Sequence, residues 1–218
     1  MAQITGEHRS FMEKEFQKMS EAVKINVHLP AGKCETCDEL KELINEIAEA
    51  TDHLQVSFIE EDSAEDGGYN YIVDRLPAVA VLDKEGKSRN IIYYGLPSAN
   101  LFHSLISLIT MQSTGNVDMD EENIEKVKGL EGAEIQLFVT PNTPKASETI
   151  DVASRFAMLN DEIHTSVIEL IEFPEMAERY QVLGVPKTIV NEEIKFTGAY
   201  DAGELLEIII NKISDVEV

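Results

Sequence analysis

The sequence predicts an α/β protein made of two copies of one unit, each a mixed central sheet flanked by helices. Two observations carry this. Segments with the apolar period of a strand alternate with segments of helical period in the order strand, helix, strand, helix, hairpin, helix, and that order then recurs. The recurrence also keeps register, because Pro77 and Pro186 lie 109 positions apart, as do Cys34 and Thr143. At the same offset Leu43 is matched by Val152, Ile47 by Phe156, Ala48 by Ala157, Ile59 by Ile168 and Glu60 by Glu169. So long a period signals two domains of one fold, not a solenoid.

Residues 8–22 read as a helix, with Phe11, Met12, Phe16 and Met19 near one helical turn apart. Ile25–Leu29 is a strand that Pro30 and Gly32 end. From Cys34 a helix runs to about Ala50 on the stripe Leu40, Leu43, Ile44, Ile47 and Ala48. Leu54–Glu60 alternates as a strand does, and Asp66–Asp74 reads as loop or short helix. Ala78–Leu82 and Ile91–Tyr94 form a hairpin around Asp83-Lys84-Glu85-Gly86, after which Ser98 is placed to cap a helix through Leu101, Leu105 and Ile109. In the second copy the strands are Ile135–Thr140 and Thr165–Leu170, with the hairpin Thr188–Val190 and Ile194–Thr197. Its helices are Pro144–Leu159, Pro174–Tyr180 and Leu205–Ile213, the last capped by Asp201. Thr114–Glu134, with Ile124, Val127 and Leu130, reads as the second copy's own leading helix. The units are set at residues 1–115 and 116–218; with no Gly/Ser-rich or Pro-rich linker between them, they are expected to pack as one body.

Composition narrows the partners. The chain is 43% hydrophobic, enough for real cores, yet 41 acidic against 18 basic side chains leave a formal charge of −23. Phosphate surfaces attract clusters of Lys and Arg, so neither nucleic acid nor an anionic membrane is an expected partner. A well-solvated surface, weak cation binding and a saline cytosol all remain open as reasons for the excess. The N-terminal stretch is charged throughout, and no apolar run reaches bilayer length, so a cytoplasmic location is expected.

Both cysteines fall in one Cys-x-x-Cys, Cys34-Glu35-Thr36-Cys37, where a strand and a short loop hand over to a helix. Free backbone N–H groups and the dipole at a helix start favour a thiolate, which marks Cys34 as the nucleophile. Cys37, three positions on, is placed to attack a mixed disulfide formed on Cys34. Lys33 should favour the thiolate while Glu35, Asp38 and Glu39 oppose it, and together with Thr36 between the cysteines these side chains tune the pair toward a mild, reducing thiol. Two other readings stand beside this one. A zinc site would need about two further ligands, which no second cysteine pair or His-x-x-x-His supplies. Inert core cysteines fit poorly with the Gly32-Lys33 lead-in.

The order of elements, the Cys-x-x-Cys opening the first helix, and a proline before each hairpin together resemble the thioredoxin fold. The chain as a whole is similar to the glutaredoxin-like protein disulfide oxidoreductases of archaea and thermophilic bacteria, which fuse two such units. The resemblance implies that Pro77, after Leu76, is cis and faces the cysteines, so that the Leu76 backbone pairs with an extended client peptide. It gives Pro186, after Val185, the same place in the second copy, although a strand-entry proline is the alternative at either position. The stretch Phe138-Val139-Thr140-Pro141-Asn142-Thr143-Pro144-Lys145-Ala146 resembles the family's second Cys-x-x-Cys segment, but Thr143 and Ala146 stand where the cysteines would be. That second site is therefore degenerate, leaving the unit as a scaffold, a client-binding surface or a docking site for a reductase.

Weaker candidates remain. His28, six positions before Cys34, is either structural or a proton relay to Cys37. His8, His53, His103 and His164 look scattered over the surface, Glu60 and Glu169 look structural, and the run Glu60-Glu61-Asp62 with Glu65-Asp66 reads as a solvated loop lacking the pattern of a calcium site. The predicted function is exchange of protein disulfides by Cys34 attack and Cys37 resolution. No bound cofactor is expected, since no dinucleotide or phosphate-loop motif is present. The family resemblance implies that NADPH supplies electrons through a thioredoxin-reductase-like flavoprotein, and that disulfide-containing proteins are the clients. One rival is an electron donor to a peroxidase, like the paired units fused to some bacterial flavoprotein reductases, although those keep their cysteines in the second unit. A rival of another class is a non-enzymatic acidic binding or chaperone module.

Overall fold

The structure is a computed structural model that describes residues 4, 6–61 and 69–216. The predicted Asp66–Asp74 segment lies partly outside these residues, as do Asp62, Glu65 and Asp66 of the acidic run. The first half runs α1 (Gly6–Phe16), β1 (Val23–Pro30), α2 (Cys37–Glu49), β2 (Leu54–Glu61), β3 (Ala78–Leu82), β4 (Ser88–Tyr94) and α3 (Asn100–Thr114). The second runs α4 (Glu121–Lys128), β5 (Ala133–Val139), α5 (Ala146–Leu159), β6 (Ile163–Glu169), α6 (Pro174–Arg179), β7 (Lys187–Val190), β8 (Ile194–Thr197) and α7 (Ala202–Val216).

The strands join into one eight-stranded mixed sheet in the order β2-β1-β3-β4-β6-β5-β7-β8. Each half contributes a parallel pair, β1 with β2 or β5 with β6, and an antiparallel hairpin, β3–β4 or β7–β8. The halves meet where β4 runs parallel to β6, with Ile91 opposite Thr165 and Tyr94 opposite Ile168. Alternation along β1 sends Val23, Ile25, Val27 and Leu29 to one face, where α2 closes over them with Leu40, Leu43, Ile44 and Ile47. Each such side chain taken out of water contributes about 1.5–3 kcal/mol. The same face carries α3, α5 and α7, with α1 adding Met12 and Phe16. The opposite face holds a smaller core of Tyr71, Val73, Ile92, Phe138, Ile168, Phe173 and Met176.

Several element boundaries differ from the sequence expectation, among them the helix expected within Thr114–Glu134, which is confined to Glu121–Lys128, and three show their cause. Helix α1 stops at Phe16, because Met19 folds back through an N–H bond to the Phe16 carbonyl and buries itself in the core without continuing the helix. Ser98 does not cap α3 with its side chain; the chain enters the helix through Ala99, at φ +50°, and Ser98 offers only its carbonyl, to the Leu101 N–H. Helix α2 starts at Cys37, which leaves Cys34 in the turn ahead of it. By contrast, Asp201 accepts the Glu204 N–H at 2.9 Å while Glu204 accepts the Asp201 N–H at 3.0 Å, a reciprocal cap for α7. Among the described residues no helix is long and apolar enough to cross a membrane.

Candidate active site

Strand β1 ends at Pro30 and hands the chain to the turn that carries the cysteines. Cys34 does not open the helix as expected. Thr36 is the N-cap residue and Cys37 the first residue of α2, so Cys34 precedes the cap. A disulfide nevertheless joins Cys34 to Cys37, with their Cα atoms 5.5 Å apart, so the Cys34 sulfur is held at the mouth of the helix. Cys37 is 7% exposed and belongs to the core, whereas Cys34 is half-buried at its edge. The outer sulfur-bearing residue is thus the more accessible of the two, and the inner one is shielded. Asp38 and Glu39 occupy the first turn of α2, where carboxylates suit the helix dipole. Lys33 and Glu35 face one another at 3.9 Å with side chains 90% and 87% exposed, so water weakens whatever either exerts on the sulfur.

Leu76–Pro77 is a cis peptide bond, as is Val185–Pro186 in the second half. Each proline carbonyl accepts an N–H from a glycine that closes its hairpin, Gly95 to Pro77 at 3.0 Å and Gly198 to Pro186 at 2.9 Å. The repeat therefore extends to equivalent hydrogen bonds. Pro77 and Pro186 are buried, and Leu76 and Val185 half-buried.

At the position that matches Cys34 in the second half, the structure holds a buried, hydrogen-bonded hydroxyl. Thr143, 1% exposed, accepts the Thr140 N–H at 2.8 Å and shares a 2.9 Å bond with the Thr140 hydroxyl. Ala146 is buried as the first residue of α5. Asn100, at the start of α3, ties this loop to the first half by donating to the Thr143 carbonyl at 3.2 Å and, through its backbone, to the Pro141 carbonyl at 3.0 Å.

His28 is fully buried on the β1 face opposite Val27 and Leu29, among Asn26, Tyr69 and Tyr71. Its Nδ1 bonds Glu61 at 3.0 Å and its Nε2 bonds the Tyr71 hydroxyl at 2.8 Å. Both nitrogens are engaged on the face of the sheet opposite the core that holds Cys37, an arrangement that matches the structural alternative for this residue. Burial pushes the Tyr71 hydroxyl up to about 12, so it stays protonated in this network. The histidines are not all scattered, since His8 and His103 meet at 3.0 Å, and burial followed by the neighbouring His8 lowers His103. Glu60 lies exposed near Lys41 at 3.7 Å, whereas Glu169 is 3% exposed and accepts the Ile171 and Glu172 N–H groups, each at 2.9 Å. Burial raises Glu169 above the ordinary carboxylate range. Among the described residues no group of three or more His, Cys, Asp or Glu side chains is arranged to hold a metal.

One contact was not foreseen from the sequence. The Thr36 hydroxyl, which caps nothing in its own helix, donates to Glu172 Oε2 at 2.5 Å from 136 positions away. The other oxygen of that carboxylate accepts the Leu96 N–H at 2.5 Å.

Comparison with known proteins agrees with this geometry. The family model described as "Thioredoxin domain" matches residues 133–210, which fall in the half without cysteines. The AhpF component of alkyl hydroperoxide reductase in Staphylococcus epidermidis is 26% identical over 184 residues, covering 83% of this chain and 33% of that protein. Its counterpart in Staphylococcus aureus strain Mu50 is 25% identical over 186 residues, covering 84% and 34%. The chain thus spans about a third of the length of these curated relatives. Among solved structures, the NTD_N/C domain of alkylhydroperoxide reductase AhpF from Enterococcus faecalis superposes with a TM-score of 0.84 at 21% identity, covering 91% of this chain and 96% of that one. A protein disulfide oxidoreductase from Aeropyrum pernix gives 0.85 at 22% identity, covering 99% and 96%. Residues 133–210 thus match the thioredoxin-domain model, and the chain as a whole has a tandem thioredoxin-like fold.

Proposed function

We propose that the chain is a thiol-disulfide oxidoreductase in which Cys34 attacks and Cys37 resolves. The observation that carries this is the asymmetry of the pair: a disulfide between a half-buried Cys34 and a buried Cys37, held at the mouth of α2. In the reducing direction the Cys34 thiolate attacks one sulfur of a client disulfide and expels the other as a thiolate. The Cys37 thiolate then attacks the Cys34 sulfur, closes the ring and expels the second client thiolate. Two electrons pass to the client, and the protons of two thiols go with them. Leu76, ahead of the cis Pro77, offers backbone to an extended client. The degenerate site at Thr143 and Ala146, with Val185 and Pro186, serves as scaffold or docking surface.

The electrons come from NADPH through a thioredoxin-reductase-like flavoprotein, the clients are disulfide-bearing proteins, and the setting is a reducing cytosol. Insulin reduction driven by dithiothreitol tests the reading, with Cys34→Ser expected to abolish the acceleration. Equal rates for wild type and Cys34→Ser would leave the non-enzymatic binding module. A second reading is favoured by the sequence relatives, which are named as components of a hydroperoxide reductase: the chain passes its electrons to a peroxidase. Rapid mixing of the reduced chain with a disulfide-form peroxidase separates the two. Oxidation far faster than that by insulin supports the dedicated donor.

A further inference from the structure

A half-molecule without thiols still reaches the redox centre. Parallel pairing of β4 with β6 sets Tyr94 opposite Ile168, so Gly95, which follows β4, and Glu169, the last residue of β6, also lie together. From there the loop after β6 rises beside the loop after β4. Glu169 anchors it from below by accepting the N–H groups of Ile171 and Glu172. Gly95, at φ +93°, lets the two loops approach, since a Cβ there would stand 3.0 Å from Glu172 Oε1 and 3.0 Å from the Glu169 Cβ. Fixed in this way, the Glu172 carboxylate grips Thr36 with one oxygen and the Leu96 N–H with the other. Thr36 lies between the two cysteines, and Leu96 follows the glycine that bonds the Pro77 carbonyl.

We propose that Glu172 is a positioning residue of the redox centre, through which the cysteine-free half sets the reactivity of Cys34. The inference rests on the oxidoreductase reading and deepens it. A carboxylate bonded to the residue between the cysteines fixes the turn that presents Cys34. It also holds a carboxylate against the residue that separates the two cysteines, and a negative charge so near disfavours the thiolate and keeps the pair reducing. Charge-assisted bonds of this kind are among the stronger ones a surface loop can make.

The test measures two properties of the reduced full-length protein: the rate at which iodoacetamide alkylates Cys34 at pH 7, and the ratio of glutathione disulfide to squared glutathione at half-oxidation. Glu172→Gln keeps an acceptor oxygen but removes the charge. It is expected to raise the alkylation rate and the half-oxidation ratio, each about threefold or more. Thr36→Val, which cuts the link while leaving α2 with no cap to lose, should move both quantities the same way, and Thr36→Ser should restore wild-type values. Should Glu172→Gln not fold, the Thr36 pair decides alone. Wild-type values in Thr36→Val overturn the proposal, and so does a shift in Glu172→Gln that Thr36→Val does not reproduce. Neither readout needs turnover. A wild-type protein that fails to reduce insulin would therefore sink the oxidoreductase reading without touching the link between Glu172 and Cys34.

Discussion

Gly95→Ala concentrates in one methyl group what the structure says about the joint between the halves. The backbone at Gly95 sits at φ +93°, outside the range that L-residues adopt freely, which costs about 1–2 kcal/mol for a side chain. The added Cβ would also lie 3.0 Å from both the Glu169 Cβ and Glu172 Oε1, and 3.3 Å from the Glu172 carboxyl carbon, tighter than ordinary packing. Neither neighbour gives way cheaply, because Glu169 is buried and Glu172 is bonded at both oxygens. Overpacking of this kind adds about 1–3 kcal/mol. The expected loss is about 2–5 kcal/mol, and at about 2–4 °C per kcal/mol for a chain of this size the melting temperature should fall by about 4–20 °C. Gly32→Ala is the control: it lies in the loop leading to the cysteines, a Cβ there meets nothing within 4 Å, and its backbone is not left-handed. Its melting temperature should stay within about 2 °C of wild type. Thermal unfolding followed by circular dichroism compares the two, and a Gly95→Ala protein melting with its control would refute the close approach of the two loops.

Three further predictions follow from buried groups. Burial raises Asp151 to about 7, with Arg155 opposing the shift and Glu15 and Glu148 adding to it, so the folded state holds the proton that the unfolded state releases near pH 4. Stability is therefore full below about pH 4 and declines as pH rises toward 7, and Asp151→Asn should melt higher than wild type at pH 8, by up to about 4 kcal/mol, and no higher at pH 4; equal melting at pH 8 would count against it. His28→Leu strands the Glu61 carboxylate and leaves the Tyr71 hydroxyl with Asn26 alone, and should cost about 2–4 kcal/mol in urea unfolding, while Cys37 retains its ability to resolve a trapped mixed disulfide, as a histidine across the sheet requires. Ile47→Ala, at a fully buried position of α2, should cost about 2–5 kcal/mol in the same assay.

Much of the fold was legible because its signals are local and doubled. Ile25–Leu29 and Ile135–Thr140 announce strands by their own pattern, and the shared offset of Cys34 with Thr143 and of Pro77 with Pro186 shows that one pattern is used twice. What escaped depends on partners distant in the chain. Ser98 has the composition of a helix cap, but the backbone reaches α3 through Ala99 instead, with the Asn100 N–H bonded to the Pro141 carbonyl. The spacing puts Cys34 at the first turn of α2, whereas Thr36 between the cysteines bonds to Glu172 in the other half and the helix starts at the second cysteine. Spacing alone made His28 a relay candidate; the alternation of β1 put it on the other face. Glu172 gave no signal at all, since the position 109 residues before it, Ser63, offers no matching acid.

The parallel contact of β4 with β6 also governs what becomes of a severed chain. Were the backbone cut between α3 and α4, each fragment would bare a strand that the intact protein keeps paired on both sides, lined by Ile91–Tyr94 in one piece and Thr165–Ile168 in the other. A naked, apolar strand edge seeks another strand. The pieces would either re-zip with one another or clump, so proteolysis in that connection should yield a nicked protein that still elutes as one particle.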